Sequence, residues 1–135
     1  MTIAMNPKDL LYAETHEWVR IGSEGGRKVA TVGITAFALE QLTDLVHMVL
    51  PKVGAKVQAG QPFGEVESVK AVSDLYSSVT GDVIAVHGDL ANKLETLGSD
   101  PYGEGWMIKV ALTDEASLKK LMDAAAYERQ CAAEG

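Results

Sequence analysis

The sequence contains one cysteine, Cys131, so no disulfide can form within the chain. That residue sits in a small, polar tail and reads as a free thiol without a catalytic role. Histidine is also scarce. His16, His47 and His87 are scattered, and no Cys or His pair has the spacing of metal ligands. His16 is expected beside Trp18, His47 within an apolar strand and His87 on a loop. Cations are outnumbered, with 12 Lys and Arg against 19 Asp and Glu, for a formal net charge of -7 and a pI near 4.9. Charge of that sign repels phosphate backbones and the anionic face of a membrane, which removes nucleic acid and membrane from the candidate partners. No uncharged run approaches the length of about 18 residues that a membrane-spanning helix needs. Residues Met1 to Leu11 hold one lysine and no arginine, a poor fit to a secretory signal or an Arg-rich transit peptide. The expectation is a soluble, cytoplasmic, bacterial protein.

What is present suits one β-rich unit. The 135 residues are 47 % hydrophobic, enough for a core, and fit one domain over 1–135 with loose tails at 1–10 and 128–135. Tyr12 to Ile21 reads as a first strand, Gly22 to Gly26 as its turn and Val29 to Ile34 as the return strand. Thr35 then caps a short helix over 36–42. Leu45 to Leu50 reads as a buried strand ended by Pro51. Two glycine turns, Val53–Gly60 and Val79–Val83, each precede a short apolar strand (Phe63–Val69 and Ile84–Gly88), which suggests a small pseudo-symmetric sandwich. Near the C-terminus, Leu118, Leu121, Met122 and Ala125 recur at helical spacing, predicting a helix over 114–126 that packs on a sheet.

The chemistry is concentrated in Glu65–Tyr76. Side-chain types there are nearly mirrored about the Lys70–Ala71 bond: Val69 answers Val72, Ser68 answers Ser73, Glu67 answers Asp74 and Val66 answers Leu75. A two-residue turn at Lys70-Ala71 makes each a cross-strand pair, with Val66, Leu75 and both serines on one face and Val69, Val72, Glu67 and Asp74 on the other. Lys-Ala is poor chemistry for such a turn, since neither residue takes φ > 0 easily, so a longer turn stays open. Glu67 opposite Asp74 is a like-charge pair that stability alone would not select. Either way Lys70 stands at the tip. An exposed lysine on a long stem suits amide attachment of an acyl cofactor by a modifying enzyme, which must supply the deprotonation. Acylation would move the formal balance from -7 to -8. A hydrolytic dyad of Ser68 or Ser73 with Lys70 lacks a nucleophile elbow. A biotin carrier is disfavoured because Val69 and Ala71, not methionines, flank the lysine. An adaptor with an unmodified tip is the remaining alternative from the residues.

The segment Glu67-Ser68-Val69-Lys70-Ala71-Val72-Ser73-Asp74 resembles the lipoylation signature of glycine cleavage H proteins. His16-Glu17-Trp18-Val19, Val32-Gly33-Ile34-Thr35, Leu50-Pro51 and Asp100–Trp106 followed by Met107-Ile108-Lys109 extend the resemblance, in order, from about Tyr12 to Tyr127. The resemblance implies a mainly β fold with small helices, a flattened β-sandwich or barrel-sandwich hybrid of the lipoyl-domain type. It implies lipoate covalently attached to Lys70, on a carrier that is not itself an enzyme. The arm would take the aminomethyl group of glycine from the pyridoxal-phosphate-dependent glycine decarboxylase (P protein) to the tetrahydrofolate-dependent aminomethyltransferase (T protein), and be reoxidised by dihydrolipoyl dehydrogenase (L protein). A lipoate ligase, or an octanoyltransferase with lipoyl synthase, would load it. Glu67 and Gly81 match positions read by modifying enzymes; Thr15, Glu17 and Asp74 match the cleft that receives the aminated arm. A variant implied equally is lipoyl donation to 2-oxoacid dehydrogenases. Visits to several enzymes favour a monomer. The chain departs from the family at His47 and Val49, where an aromatic and an acidic residue are usual, and at Leu94 and Gly98. The first two bear on partner docking, not on the signature.

Overall fold

The computed structural model describes residues 7–42 and 44–134. Glycine turns and alternating apolar residues divide the chain into nine strands among the described residues. They are β1 (Leu11–Tyr12), β2 (Glu17–Glu24), β3 (Arg27–Ile34), β4 (Leu45–Val49), β5 (Lys56–Val57), β6 (Pro62–Ser68), β7 (Val72–Tyr76), β8 (Thr80–Val86) and β9 (Ile108–Asp114). Three α-helices join them: α1 (Ala36–Leu42), α2 (Glu95–Ser99) and α3 (Ala124–Glu134). One antiparallel sheet runs β1-β2-β3-β9-β8-β5 and a smaller one runs β4-β6-β7. Val19, Val32, Met48, Val66, Leu75, Val83 and Ile108, drawn from both sheets, belong to one buried cluster, the β-sandwich implied by the resemblance. The two echoing segments fall in different sheets, β6 in the small one and β8 in the large one.

Several elements differ from the sequence reading, each for a local reason. The first strand is broken. Ala13 to His16 form a turn closed by Ala13 N–H to Glu17 O (2.9 Å) and His16 N–H to Ala13 O (2.9 Å), and His16 adopts φ +77. The strand after it continues to Glu24, because Gly25 (φ +60) and Gly26 (φ +79) alone supply the two left-handed positions of a tight hairpin. α1 lies where expected, its first turn held by Thr35, whose Oγ1 accepts from Ala38 N–H at 3.3 Å. β4 is a strand but not a buried one. It is an edge paired only with β6, so Met48 faces inward while Val46 and Val49 are 52 % and 43 % exposed.

The helix expected over 114–126 is not formed. Ala116–Lys120 make one 3-10 stretch, and Met122 then pairs with Tyr12 in an antiparallel bridge, N–H to O at 2.7 and 2.8 Å. That bridge needs extended backbone and ends the apolar stripe. The helix forms later, as α3, with Ala124 and Tyr127 buried. Both stretches read as loose tails carry structure: Leu10 is buried and α3 runs to Glu134, while Met1 to Asn6 and Gly135 lie outside the described residues.

The motifs separated in sequence converge on Trp18. Its indole N–H donates to Pro101 O at 2.9 Å, Gly33 on β3 lies directly across from it, and Tyr102 O accepts from Arg20 at 2.8 Å. The Tyr102 hydroxyl accepts from Ala36 N–H at 3.1 Å, so the Asp100–Trp106 loop is tied to the start of α1.

Candidate functional site

Lys70 occupies the loop between β6 and β7. The strands pair Glu67 with Val72, Val66 with Ser73 and Glu65 with Asp74. The register is therefore two residues away from the mirror seen in the sequence, and the last cross-strand pair, Glu67 with Val72, encloses four residues, from Ser68 at the end of β6 to Ala71. None of these residues has positive φ, so a two-residue turn at Lys70-Ala71 is unavailable. Ser68 closes the longer loop instead. Its N–H donates to Ala71 O (2.8 Å), and its buried hydroxyl oxygen accepts from the N–H groups of Lys70 and Ala71, both at 3.2 Å. A shift of two preserves the faces: Val66, Ser68 and Leu75 point inward, while Val69, Val72 and Asp74 are exposed. The like-charge pair is kept with different members, Glu65 opposite Asp74.

Lys70 is exposed, between Val69 at 66 % and Val72 at 56 % exposure. Glu67 lies on β6, flanked across the sheet by His47 and Val72. Gly81 lies elsewhere, buried in β8 against β9. A Cβ there would collide with the Ala111 carbonyl and sit 2.8 Å from Val110 Cγ1, so the sheet itself requires glycine.

Beside the hairpin is a cleft with a cavity of about 300 Å³, walled by α1, the Thr15–Glu17 turn, β7 and the end of α3. Thr15, Glu17 and Asp74 all line it, although they come from separate segments. Ile34, Phe37, Leu42, Val66 and Leu75 provide an apolar lining. Glu17 is 3 % exposed, accepting from the Thr15 hydroxyl and from Tyr76 N–H at 3.2 Å. Burial pushes its carboxyl up to about 7, against the lowering effect of those hydrogen bonds. Near neutral pH Glu17 is therefore divided between a carboxylate that attracts cations and a carboxylic acid that can donate.

Sequence reasoning missed His16, Phe37, Gln41 and Glu134 as cleft residues. His16 packs on Phe37 (centroids 5.0 Å) and Tyr127 (5.6 Å), not on Trp18, because its left-handed backbone takes it out of the strand alternation. Phe37 and Gln41 are one helical turn apart on α1, a spacing that could have paired them. Glu134 enters through a chain of hydrogen bonds that no local pattern announces. Thr35 Oγ1 and Tyr127 OH are 2.6 Å apart, Tyr127 OH lies 2.7 Å from His16 Nδ1, and His16 Nε2 lies 3.0 Å from Glu134 Oε1. Gln130 Nε2 donates to Glu134 Oε2 (2.7 Å) and to Glu14 O (2.8 Å). Ser68 is not placed for a hydrolytic dyad, since its hydroxyl is engaged by its own loop. No helix among the described residues is long and apolar enough to cross a membrane.

Residues 10–134 match the family model described as Glycine cleavage H-protein. The glycine cleavage system H protein of Rhodopirellula baltica is 55 % identical over 133 residues, covering 98 % of this chain and 100 % of that protein. That of Marinobacter nauticus is 52 % identical over 128 residues, 95 % of this chain and 96 % of its own length. In three dimensions the chain is similar to the crystal structure of a glycine cleavage system H protein from Mycobacterium marinum. The TM-score is 0.83 at 38 % identity, over 93 % of this chain and 98 % of that one.

Proposed function

The chain belongs to the glycine cleavage H-protein family, and from that premise we propose that Lys70 is the residue that bears its lipoyl group. Membership makes the chain a lipoyl carrier of the glycine cleavage system rather than a catalytic enzyme. The observation that supports Lys70 is its position: an exposed amine on the protruding β6–β7 loop, presented by a buried, hydrogen-bonded Ser68. A rigid base with a free tip suits both enzymatic acylation and a swinging arm.

The cleft fits the returning arm. Its apolar walls suit an acyl chain, and Glu17 and Asp74 suit a terminal amine. Thr15 and the Tyr76 N–H orient the Glu17 carboxyl by donating to its two oxygens. Asp74 is four residues beyond Lys70, at most about 13 Å at the rise of an extended chain, so a lipoyl-lysine can fold back without a change in the sheet. The lipoyl group, when bound, supplies the disulfide and thiol chemistry that accepts the one-carbon amine unit. The protein holds the arm, shields its end from water and raises its effective concentration at a docked enzyme.

In this reading the 1–135 chain acts as one carrier domain, is loaded by a lipoate ligase or an octanoyltransferase with lipoyl synthase, and serves glycine decarboxylase, aminomethyltransferase and dihydrolipoyl dehydrogenase. Glu67, half-buried on β6 beside the tip, is a contact for the loading enzyme. The test is glycine–bicarbonate exchange with purified glycine decarboxylase. The lipoylated protein supports exchange and Lys70→Arg does not; equal exchange by both overturns the assignment.

A further inference from the structure

The far end of α3 has no role in the reading above, yet it delivers a charged group to the cleft. Glu134 lines the cavity together with Glu17 and Asp74. Its two carboxyl oxygens are held separately, Oε2 by Gln130 at 2.7 Å and Oε1 by His16 at 3.0 Å. A carboxylate only accepts, so His16 Nε2 must carry a proton toward it. In neutral His16, Nδ1 then accepts from Tyr127 OH, which in turn accepts from Thr35. Every member of the chain is satisfied, and Gln130 and Tyr127 clamp α3 to the Thr15–Glu17 turn that forms the cleft wall. Glu134 is thus an oriented anion, although it is exposed.

We propose that Glu134 makes the cleft selective for an arm ending in a cation, retaining the amine-bearing arm over the uncharged one. The selection rests on the reading that the Lys70 arm enters this cleft. Glu17 is not the whole of the cleft's charge: burial holds its carboxyl near the neutral range, and Asp74 and Glu134 line the same cavity. At Glu134 the hydrogen bonds from the Gln130 amide and from His16 both favour the carboxylate and keep it below the usual range. An anion at the cleft mouth attracts an ammonium group over several ångströms and gives nothing to a neutral end. The result is a cleft that distinguishes loaded from empty by charge as well as by shape.

The experiment uses lipoylated protein carrying Cys131→Ser in every variant, the parent included, so that the reduced arm holds the only two thiols; both are capped, once with bromoethylamine to leave ammonium ends and once with iodoacetamide to leave neutral ends. Thermal midpoints of the two capped forms are compared in the parent, in Glu134→Gln and in Glu128→Gln, a control for charge elsewhere on α3. In the parent the cationic cap raises the midpoint above that of the neutral cap. Removing one cleft carboxylate in Glu134→Gln shrinks that difference by about half or more, and Glu128→Gln leaves it intact. Salt at about 0.5 M also shrinks it in the parent. A parent difference that survives unchanged in Glu134→Gln overturns the role of Glu134 and leaves the cleft reading standing. Equal midpoints for both caps in the parent, with lipoylation verified by mass, overturn the cleft reading and this inference together.

Discussion

The indole of Trp18 fills the space that a side chain at Gly33 would need: a Cβ on Gly33 would lie 2.5 Å from Trp18 Cε2 and 2.6 Å from Nε1. Through that ring, β2, β3 and the Asp100–Trp106 loop are locked together, and β2 carries Glu17 as its first residue. Gly33→Ala must displace the ring and its hydrogen bond to Pro101. Overpacking of this kind costs roughly 1–3 kcal/mol. Denaturant unfolding should show the loss, with a change in Trp fluorescence of the folded state; an unshifted midpoint would contradict the packing described.

Gly81 is a second glycine with a steric reason, and its effect on lipoylation should follow from folding. Gly81→Ala drives a Cβ into the Ala111 carbonyl across β8 and β9, with a similar expected loss of about 1–3 kcal/mol. Circular dichroism and mass spectrometry on the same sample separate two outcomes. Lipoylation that falls only with the folded fraction supports the steric account, whereas a fully folded, unlipoylated variant points to direct reading of Gly81 by the loading enzyme.

Glu17 gives a stability profile with a definite sign. Its carboxyl is raised from 4.5 to about 7 in the folded state, so between those values the folded protein holds more proton than the unfolded chain. Stability contributed by this group therefore falls as pH rises from about 4.5 to 7 and is flat above, a total of about 3 kcal/mol if the whole shift is expressed. Glu17→Gln removes that slope, although it loses an acceptor for Thr15 or Tyr76. Unfolding free energies at about pH 5 and pH 8 check it; a parent slope retained in the variant would be inconsistent with a buried, titrating Glu17.

Tyr127 joins Thr35 to His16 through its hydroxyl and stacks on Tyr12 at 4.7 Å. Tyr127→Phe keeps the stack and removes the bridge, leaving Thr35 buried with one partner fewer. The expected loss is about 1–3 kcal/mol, together with faster amide exchange in the last turns of α3. Unaltered exchange there would mean that α3 is held without this bridge.

Much of this arrangement was legible from residue order, and the illegible part has physical causes. The mirrored pattern around Lys70 identified the hairpin, its faces and its tip, because face assignment depends on period-2 alternation and survives a register change of two. Register depends on loop geometry, and the Ser68 hydroxyl that fixes it looked like one more polar residue in an alternating strand. Thr15, Glu17 and Asp74 were named together through resemblance; no spacing rule joins residues whose proximity comes from two sheets meeting. α3 was misplaced because the stripe from Leu118 to Ala125 is interrupted by the Tyr12–Met122 bridge, a long-range contact. The displaced helix then brought Glu134 and Gln130 to the cleft, where no local signal placed them. His16 escaped for the same reason: its φ of +77 is imposed by bonds to Ala13 and Thr35, not by its own preference.

The central claim is that the β6–β7 loop presents Lys70 for lipoylation, and intact-mass spectrometry after co-expression with a lipoate ligase tests it most directly. The account predicts one lipoyl increment on the parent and none on Lys70→Arg. An unmodified parent beside a control carrier that is modified, or an increment that persists in Lys70→Arg, would contradict it.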